Sequence, residues 1–423
     1  MKFHTIYLLL ATLSASAALN ATIFDLLHSV DEIAKSIIAS EPGAPSPDNV
    51  FKSIENIVVG LPLQIASSIA NSICSAVISQ GRAKTPEKYA PVLGDIKFQL
   101  RTACDRRSYS LVNASGLAAD ESFDRAKSTV IFATGWTTTV NGSQQDRLTK
   151  AYNCRGDANY IALDFGDYMK TLYPWSAQNT DVIGKYVAEA LLRLASLINI
   201  ADLHLIGHSL GAQIMSSAAR HYRVLSKESL PYVTGLDPAL PCFNNDETLP
   251  TLSASDADFV DIIHTDPGVL GQSKATGSVD FFVGGHSVLQ EGCFSITCSH
   301  SRAVSYYAES VYPNNEDNFL AKRCDSLRSL QAGKCKGKAY PMGYAVPHDL
   351  RGTHVLEVND KSPYGKNAGV SSMDPETTTC GSCEASCNVD LLQAIFGRHR
   401  TPLPCETQPN AIVILLSGCL VNM

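Results

Sequence analysis

Charge is scarce in this chain, at 18% of its residues, and acidic side chains outnumber basic ones by 41 to 34 with no lysine-rich run. A phosphate backbone therefore has no cationic surface to meet, and nucleic acid is excluded as a partner. Long apolar runs are missing too: the stretches at 6–13 and 411–421 both fall short of the roughly 20 residues that span a bilayer. What is present is a globular balance, 423 residues that are 45% hydrophobic with 28 Gly and 20 Pro, which rules out disorder, collagen and coiled coil.

The N-terminus carries Lys2, then the apolar stretch, then Ala15-Ser16-Ala17-Ala18. This is the order of a secretory signal, with cleavage expected after Ala17 or Ala18. Sequons follow at Asn20, Asn113 and Asn141, candidates for glycosylation in a secreted chain. Thirteen cysteines, none in the signal segment, suit an oxidising compartment. The stretch at 411–421 would also serve as the detachable tail of a glycolipid-anchor signal; its removal would take Cys419 with it and leave an even number of cysteines. Cys380-x-x-Cys383 followed by Cys387 has no histidine nearby, and in a secreted chain it reads as disulfide-forming rather than metal-binding. No metal and no cofactor is assigned.

Apolar residues recur at helical spacing over 22–40, up to the Pro42, Pro45, Pro47 cluster, and again over about 50–78. From Ile96 onward short apolar runs take over. Residues 128–133, 160–165, 203–207, 232–236 and 259–264 are strand-like, with helical patterns at 182–198 and 210–222 between them. Strand alternating with helix predicts a mostly parallel sheet covered on both faces. The expected division is a signal at 1–17, a helical extension at 18–90, an α/β domain at 91–367 and an irregular, cysteine-containing tail at 368–423.

Gly207-His208-Ser209-Leu210-Gly211 sits between an apolar strand and a helical segment, the context of a nucleophile elbow. A serine hydroxyl is a weak nucleophile until a histidine takes its proton, and that histidine needs a carboxylate to fix its tautomer. Among the downstream carboxylates Asp237 ends the next strand, so it projects at the same sheet edge as Ser209, with Asp266 the runner-up at the end of its own strand. His264, His286 and His300 are the histidine candidates. His264 lies in a strand, whereas His286 and His300 lie in loop-like sequence, and position alone leans toward His300. An oxyanion needs two N–H donors, one of them the backbone of Leu210.

Here the chain resembles the secreted pancreatic lipase family. The resemblance is carried by the elbow, by Gly235-Leu236-Asp237-Pro238-Ala239, by Asp258-Phe259-Val260-Asp261 with His264-Thr265-Asp266, by Val279-Asp280-Phe281-Phe282, and by Cys298-Ser299-His300-Ser301-Arg302, all in family order over about 90–365. It implies an α/β-hydrolase with a central mostly parallel β-sheet flanked by helices and preceded by N-terminal helices. It also implies a catalytic Ser209, Asp237 and His300, and a second oxyanion donor at Trp136. The family usually has His where this chain has Thr134. Disulfides implied by the resemblance pair Cys293 with Cys298, Cys324 with Cys335, and Cys154 with Cys242; Cys74 with Cys104 is a further expectation.

In triacylglycerol lipases of the family a long lid lies between the cysteines that match Cys293 and Cys298, but only four residues separate them in this chain. This shortness resembles the phospholipase A1 branch, whose open site admits a polar head group. Roughly 120 residues follow His300, and with no family C-terminal domain expected among them, no colipase partner is expected either. The substrate implied is a lipid ester, phospholipid or acylglycerol, at a membrane or lipid-droplet surface. The alternative is a non-catalytic lipid-binding or storage role, as in insect yolk proteins of this fold.

Overall fold

The computed structural model describes residues 85–383, apart from 172, 244–248, 327 and 330–334. The helices expected at 22–40 and 50–78, Asn20, Cys74 and the apolar stretch at 411–421 lie outside the described residues.

Strands rich in Val, Ile, Leu and Phe build the centre of one sheet: β3 (Ser128–Ala133), β4 (Ala158–Asp164), β5 (Leu203–His208), β6 (Leu230–Leu236), β7 (Ala257–His264), β8 (Val279–Val283) and β11 (Gly352–Leu356). They run parallel in the order β4-β3-β5-β6-β7-β8-β11. Antiparallel strands close both edges, β1 (Lys97–Arg101) and β2 (Arg106–Ser110) beyond β4, and β9 (Leu320–Arg323) and β10 (Ala339–Pro341) beyond β11. The central strands are buried almost end to end, as parallel strands with both faces covered must be.

Alternate strand residues feed two cores. Ile131, Leu205, Val233 and Val260 pack with α2 (Tyr173–Leu194) and α3 (Leu210–Ser226). Phe132, Ile206, Leu236 and Ile263 pack on the opposite face with α1 (Ser143–Arg155) and α4 (Ile296–Val311). This is the α/β-hydrolase architecture expected from the sequence. Helix α2 begins well before the helical pattern at 182–198. Its first turns bury Ser176, Asn179 and Thr180, so hydropathy does not show them, while Pro174 suits a helix start.

Two cysteine pairings differ from the expected ones. Cys154 is bonded to Cys380, not to Cys242, which is itself disulfide-bonded. Cys104 is bonded to Cys383 rather than to Cys74. The reason is the path of the chain after β11: Lys150 Nζ donates to the Pro375 carbonyl at 3.0 Å and Arg147 pairs with Glu376 at 2.7 Å, so the chain passes along α1, bringing Cys380 to Cys154, and goes on to place Cys383 against Cys104 in the turn between β1 and β2. Cys293 is bonded to Cys298 and Cys324 to Cys335.

Candidate active site

The register of the parallel sheet brings the candidate residues together. His208 at the end of β5 is paired with Leu236 at the end of β6, and Leu236 with Ile263 near the end of β7. The next residues, Ser209 and Asp237, therefore leave the sheet side by side at its carboxyl edge, where ligands of open α/β sheets bind. Both turn with positive φ, 57° for Ser209 and 44° for Asp237, a conformation that side-chain-bearing residues rarely adopt. Hydrogen bonds hold each turn: Ser209 N–H donates to the Leu236 carbonyl at 3.1 Å, and Asp237 N–H to that of Ile263 at 2.7 Å.

The glycines on either side of Ser209 are required by contact. A Cβ on Gly207 would lie 2.3 Å from the Gly211 carbonyl oxygen, and one on Gly211 would lie 2.2 Å from that of Ala133. No other residue would let α3 start so close to β3 and β5.

His300 comes from the opposite side. It stands near the start of α4 rather than in a loop, the expectation from its sequence. Ser, Thr and Cys make the segment a poor helix former on its own. The helix starts because the Ser295 hydroxyl accepts the Cys298 N–H at 3.2 Å and the Cys293–Cys298 disulfide closes the turn. His300 Nδ1 lies 2.6 Å from Asp237 Oδ2. The other carboxylate oxygen, Oδ1, accepts the N–H groups of Thr265 at 2.9 Å and Asp266 at 3.2 Å. With Asp237 fully buried, these donors compensate the loss of water around its charge.

Asp266, the runner-up acid, is also buried, but its Oδ1 accepts the Leu270 N–H at 3.0 Å and no bond joins it to His300. Burial first, and then the neighbouring Asp237, push its carboxyl well above the usual carboxylate range. Its proton is therefore held more tightly than that of an ordinary carboxyl. His264, the strand histidine, is held elsewhere: its Nε2 lies 2.8 Å from Asp280 Oδ1 and its Nδ1 lies 2.9 Å from the Gln272 carbonyl. His286 stacks on Phe282 and stays out of the cluster.

Ser209 and His300, each 8% exposed, line one cavity of about 440 Å³, within the usual range for a small-molecule site. Trp136, Tyr173, Pro241 and Leu270 give its lining an apolar part, and Thr138, Gln144, Thr297 and Ser301 a polar one. The Trp136 indole donates to the Thr171 carbonyl at 2.8 Å and meets the Tyr173 ring edge-on at 5.1 Å, which fixes the loop after β3. That loop reaches the serine: a Cβ on Gly135 would sit 2.7 Å from Ser209 Cβ. Leu210 opens α3, so its N–H lies in the first turn, where no helical carbonyl can take it. Thr134 is fully buried, and its hydroxyl has no hydrogen-bond partner.

Three further residues support this geometry. Gln290 donates to the carbonyls of Thr265 at 2.9 Å and Val283 at 2.8 Å, tying the loop before α4 to the strand end that supports Asp237. Gly271 packs on the carboxylate so closely that a Cβ there would be 2.3 Å from Asp237 Oδ1. His208 Nε2 donates to the His300 carbonyl at 3.0 Å, and burial keeps that ring neutral. Only His208 had a signal in the sequence, its place inside the elbow.

The chain is similar to several known proteins. Vitellogenin-1 of Ceratitis capitata is 32% identical over 50% of this chain and 48% of its own length. Phospholipase A1 of Vespa velutina is 30% identical over 58% of this chain and 85% of its own. Pancreatic lipase-related protein 2 of Cavia porcellus is 31% identical over 56% of each chain. The chain thus spans about half the length of the first of these relatives and most of the second. The Lipase family profile matches residues 64–364, well over half of the sequence, and the chain belongs to the lipase family.

Proposed function

We propose that the protein is a secreted hydrolase of lipid carboxylic esters, of phospholipase A1 type, working through Ser209, His300 and Asp237. The observation that carries this reading is the 2.6 Å contact between Asp237 and His300 on a cavity that Ser209 also lines. Asp237 holds the His300 ring with its proton on Nδ1, leaving Nε2 free to take the Ser209 proton as Oγ attacks the acyl carbonyl. The N–H groups of Leu210 and Trp136 receive the oxyanion. His300 then protonates the departing alcohol, and a water that it deprotonates releases the fatty acid from the serine.

Only four residues separate Cys293 from Cys298, so this disulfide loop holds no long apolar lid, and among the described residues a polar head group has room at the cavity mouth. Secretion is supported by the signal-like start of the chain, by its disulfides, and by the exposure of Asn113 and Asn141, where glycans would attach. A second reading is favoured by the resemblance to vitellogenin-1, a lipid-binding or storage role on the same fold.

The test is acyl release from phosphatidylcholine labelled separately at its two acyl positions, with a triacylglycerol emulsion alongside and Ser209→Ala as control. The expected result is release from the first position, lost in Ser209→Ala while the fold is retained. Preferential release from triacylglycerol would overturn the phospholipase reading. Absence of serine-dependent release from either lipid would favour storage.

A further inference from the structure

The loop between β8 and α4, residues 284–295, carries the feature with no use inside the fold. Phe294 is 96% exposed and is the only large aromatic side chain so exposed among the described residues, with Leu289 in the same loop 41% exposed. A single exposed aliphatic is ordinary, but a phenyl ring held almost wholly in water by a rigid loop is not.

The loop cannot fold this ring away. The Cys293–Cys298 disulfide closes it, the Cys293 N–H donates to the Gln290 carbonyl at 2.9 Å, and Arg302 Nε donates to Cys293 Sγ at 3.3 Å. Gly292, at φ 73°, approaches so near that a Cβ would lie 2.1 Å from the Asp360 carbonyl oxygen. Thr297, inside the same disulfide ring, lines the Ser209 cavity, so Phe294, three residues earlier in that ring, sits in the loop just ahead of the helix that carries His300 and close to the cavity mouth.

We infer that Phe294, with Leu289 beside it, is a fixed apolar wedge that docks the cavity mouth onto a zwitterionic lipid surface. The lipid reading of the cavity, on which this rests, supplies the partner. Charge then selects the kind of surface. Glu291 is the one charged residue between 284 and 298, and the whole chain carries a net charge of −7, so anionic lipid gains nothing from this face. Arg302, the nearest cation in sequence, is engaged, with its guanidinium 4.4 Å above the Tyr364 ring and Nη2 donating to the Asp360 carbonyl. Docking therefore proceeds by apolar insertion and is insensitive to salt.

The test separates docking from chemistry. Partitioning onto phosphatidylcholine vesicles is measured with the full chain as Ser209→Ala, with and without Phe294→Ser. Hydrolysis of a soluble short-chain ester is measured with Ser209 intact. Phe294→Ser is expected to weaken partitioning roughly tenfold or more, as loss of one inserted phenyl group requires, and to leave soluble-ester hydrolysis unchanged. Phe294→Trp is expected to keep partitioning and to blue-shift its emission on vesicles. Equal partitioning of Phe294→Ser, an unshifted tryptophan, salt-sensitive preference for anionic vesicles, or a dimer abolished by Phe294→Ser would each overturn the inference. Loss of all ester hydrolysis in the parent chain with Phe294-dependent partitioning intact would instead refute the hydrolase reading alone.

Discussion

Two buried aspartates stand side by side at the carboxyl edge of the sheet, and amide substitution should affect them very differently. In Asp237→Asn the amide has no freedom of orientation. The N–H groups of Thr265 and Asp266, at 2.9 and 3.2 Å, require an oxygen at the Oδ1 position, so the new NH₂ must face His300 Nδ1 across 2.6 Å. Nδ1 then has to accept, its proton moves to Nε2, and the nitrogen that must take the Ser209 proton already holds one. The expected loss is roughly 10⁴-fold in kcat, about 5.5 kcal/mol of transition-state stabilisation. KM should barely move, since Asp237 is not among the cavity-lining residues. Asp266→Asn replaces a carboxyl that burial and Asp237 already keep neutral, and its amide oxygen can still accept the Leu270 N–H. Its kcat should stay within roughly threefold of the parent, because no charge is removed. The assay is steady-state hydrolysis of a soluble ester, with circular dichroism to confirm the fold. Equal losses in the two variants, or an active Asp237→Asn, would refute the assignment of the His300-orienting role to Asp237.

Gly271→Ala places a methyl group 2.3 Å from Asp237 Oδ1 and must displace the carboxylate; kcat should fall roughly 10²-fold, with the cavity and its KM largely retained in the same soluble-ester assay. Asp261, fully buried on β7, accepts the Thr234 hydroxyl, and burial raises its carboxyl to about 7. Below its ordinary range the folded and unfolded chains both hold this proton; as pH rises to about 7 only the unfolded chain releases it, so stability falls across that window. Asp261→Asn removes the dependence, and its stability relative to the parent should rise by about 4 kcal/mol between pH 4 and pH 8, read from urea midpoints at each pH. A constant difference across that range would refute the argument.

The sequence by itself determined the parts of the molecule that local pattern controls. The strand patterns at 128–133 and 203–207 match β3 and β5 closely, because a strand buried on both faces has to be written as a continuous apolar run. The elbow was legible because Gly207 and Gly211 are demanded by backbone approach, and Asp237 because strand ends share one sheet edge.

Tertiary structure decided what depends on distant neighbours. His300 reads as loop from Ser-His-Ser, and becomes helical only through the Ser295 cap and the disulfide. Asp237 and Asp266 are both aspartates at strand ends, and only their contacts in space put one of them on His300 and leave the other on the Leu270 N–H. The partners of Cys154 and Cys104 lie 226 and 279 residues away, set by where the chain runs past α1 and the turn between β1 and β2. Periodicity and motif spacing are properties of neighbours along the chain, whereas pairing, protonation and exposure are properties of neighbours in space.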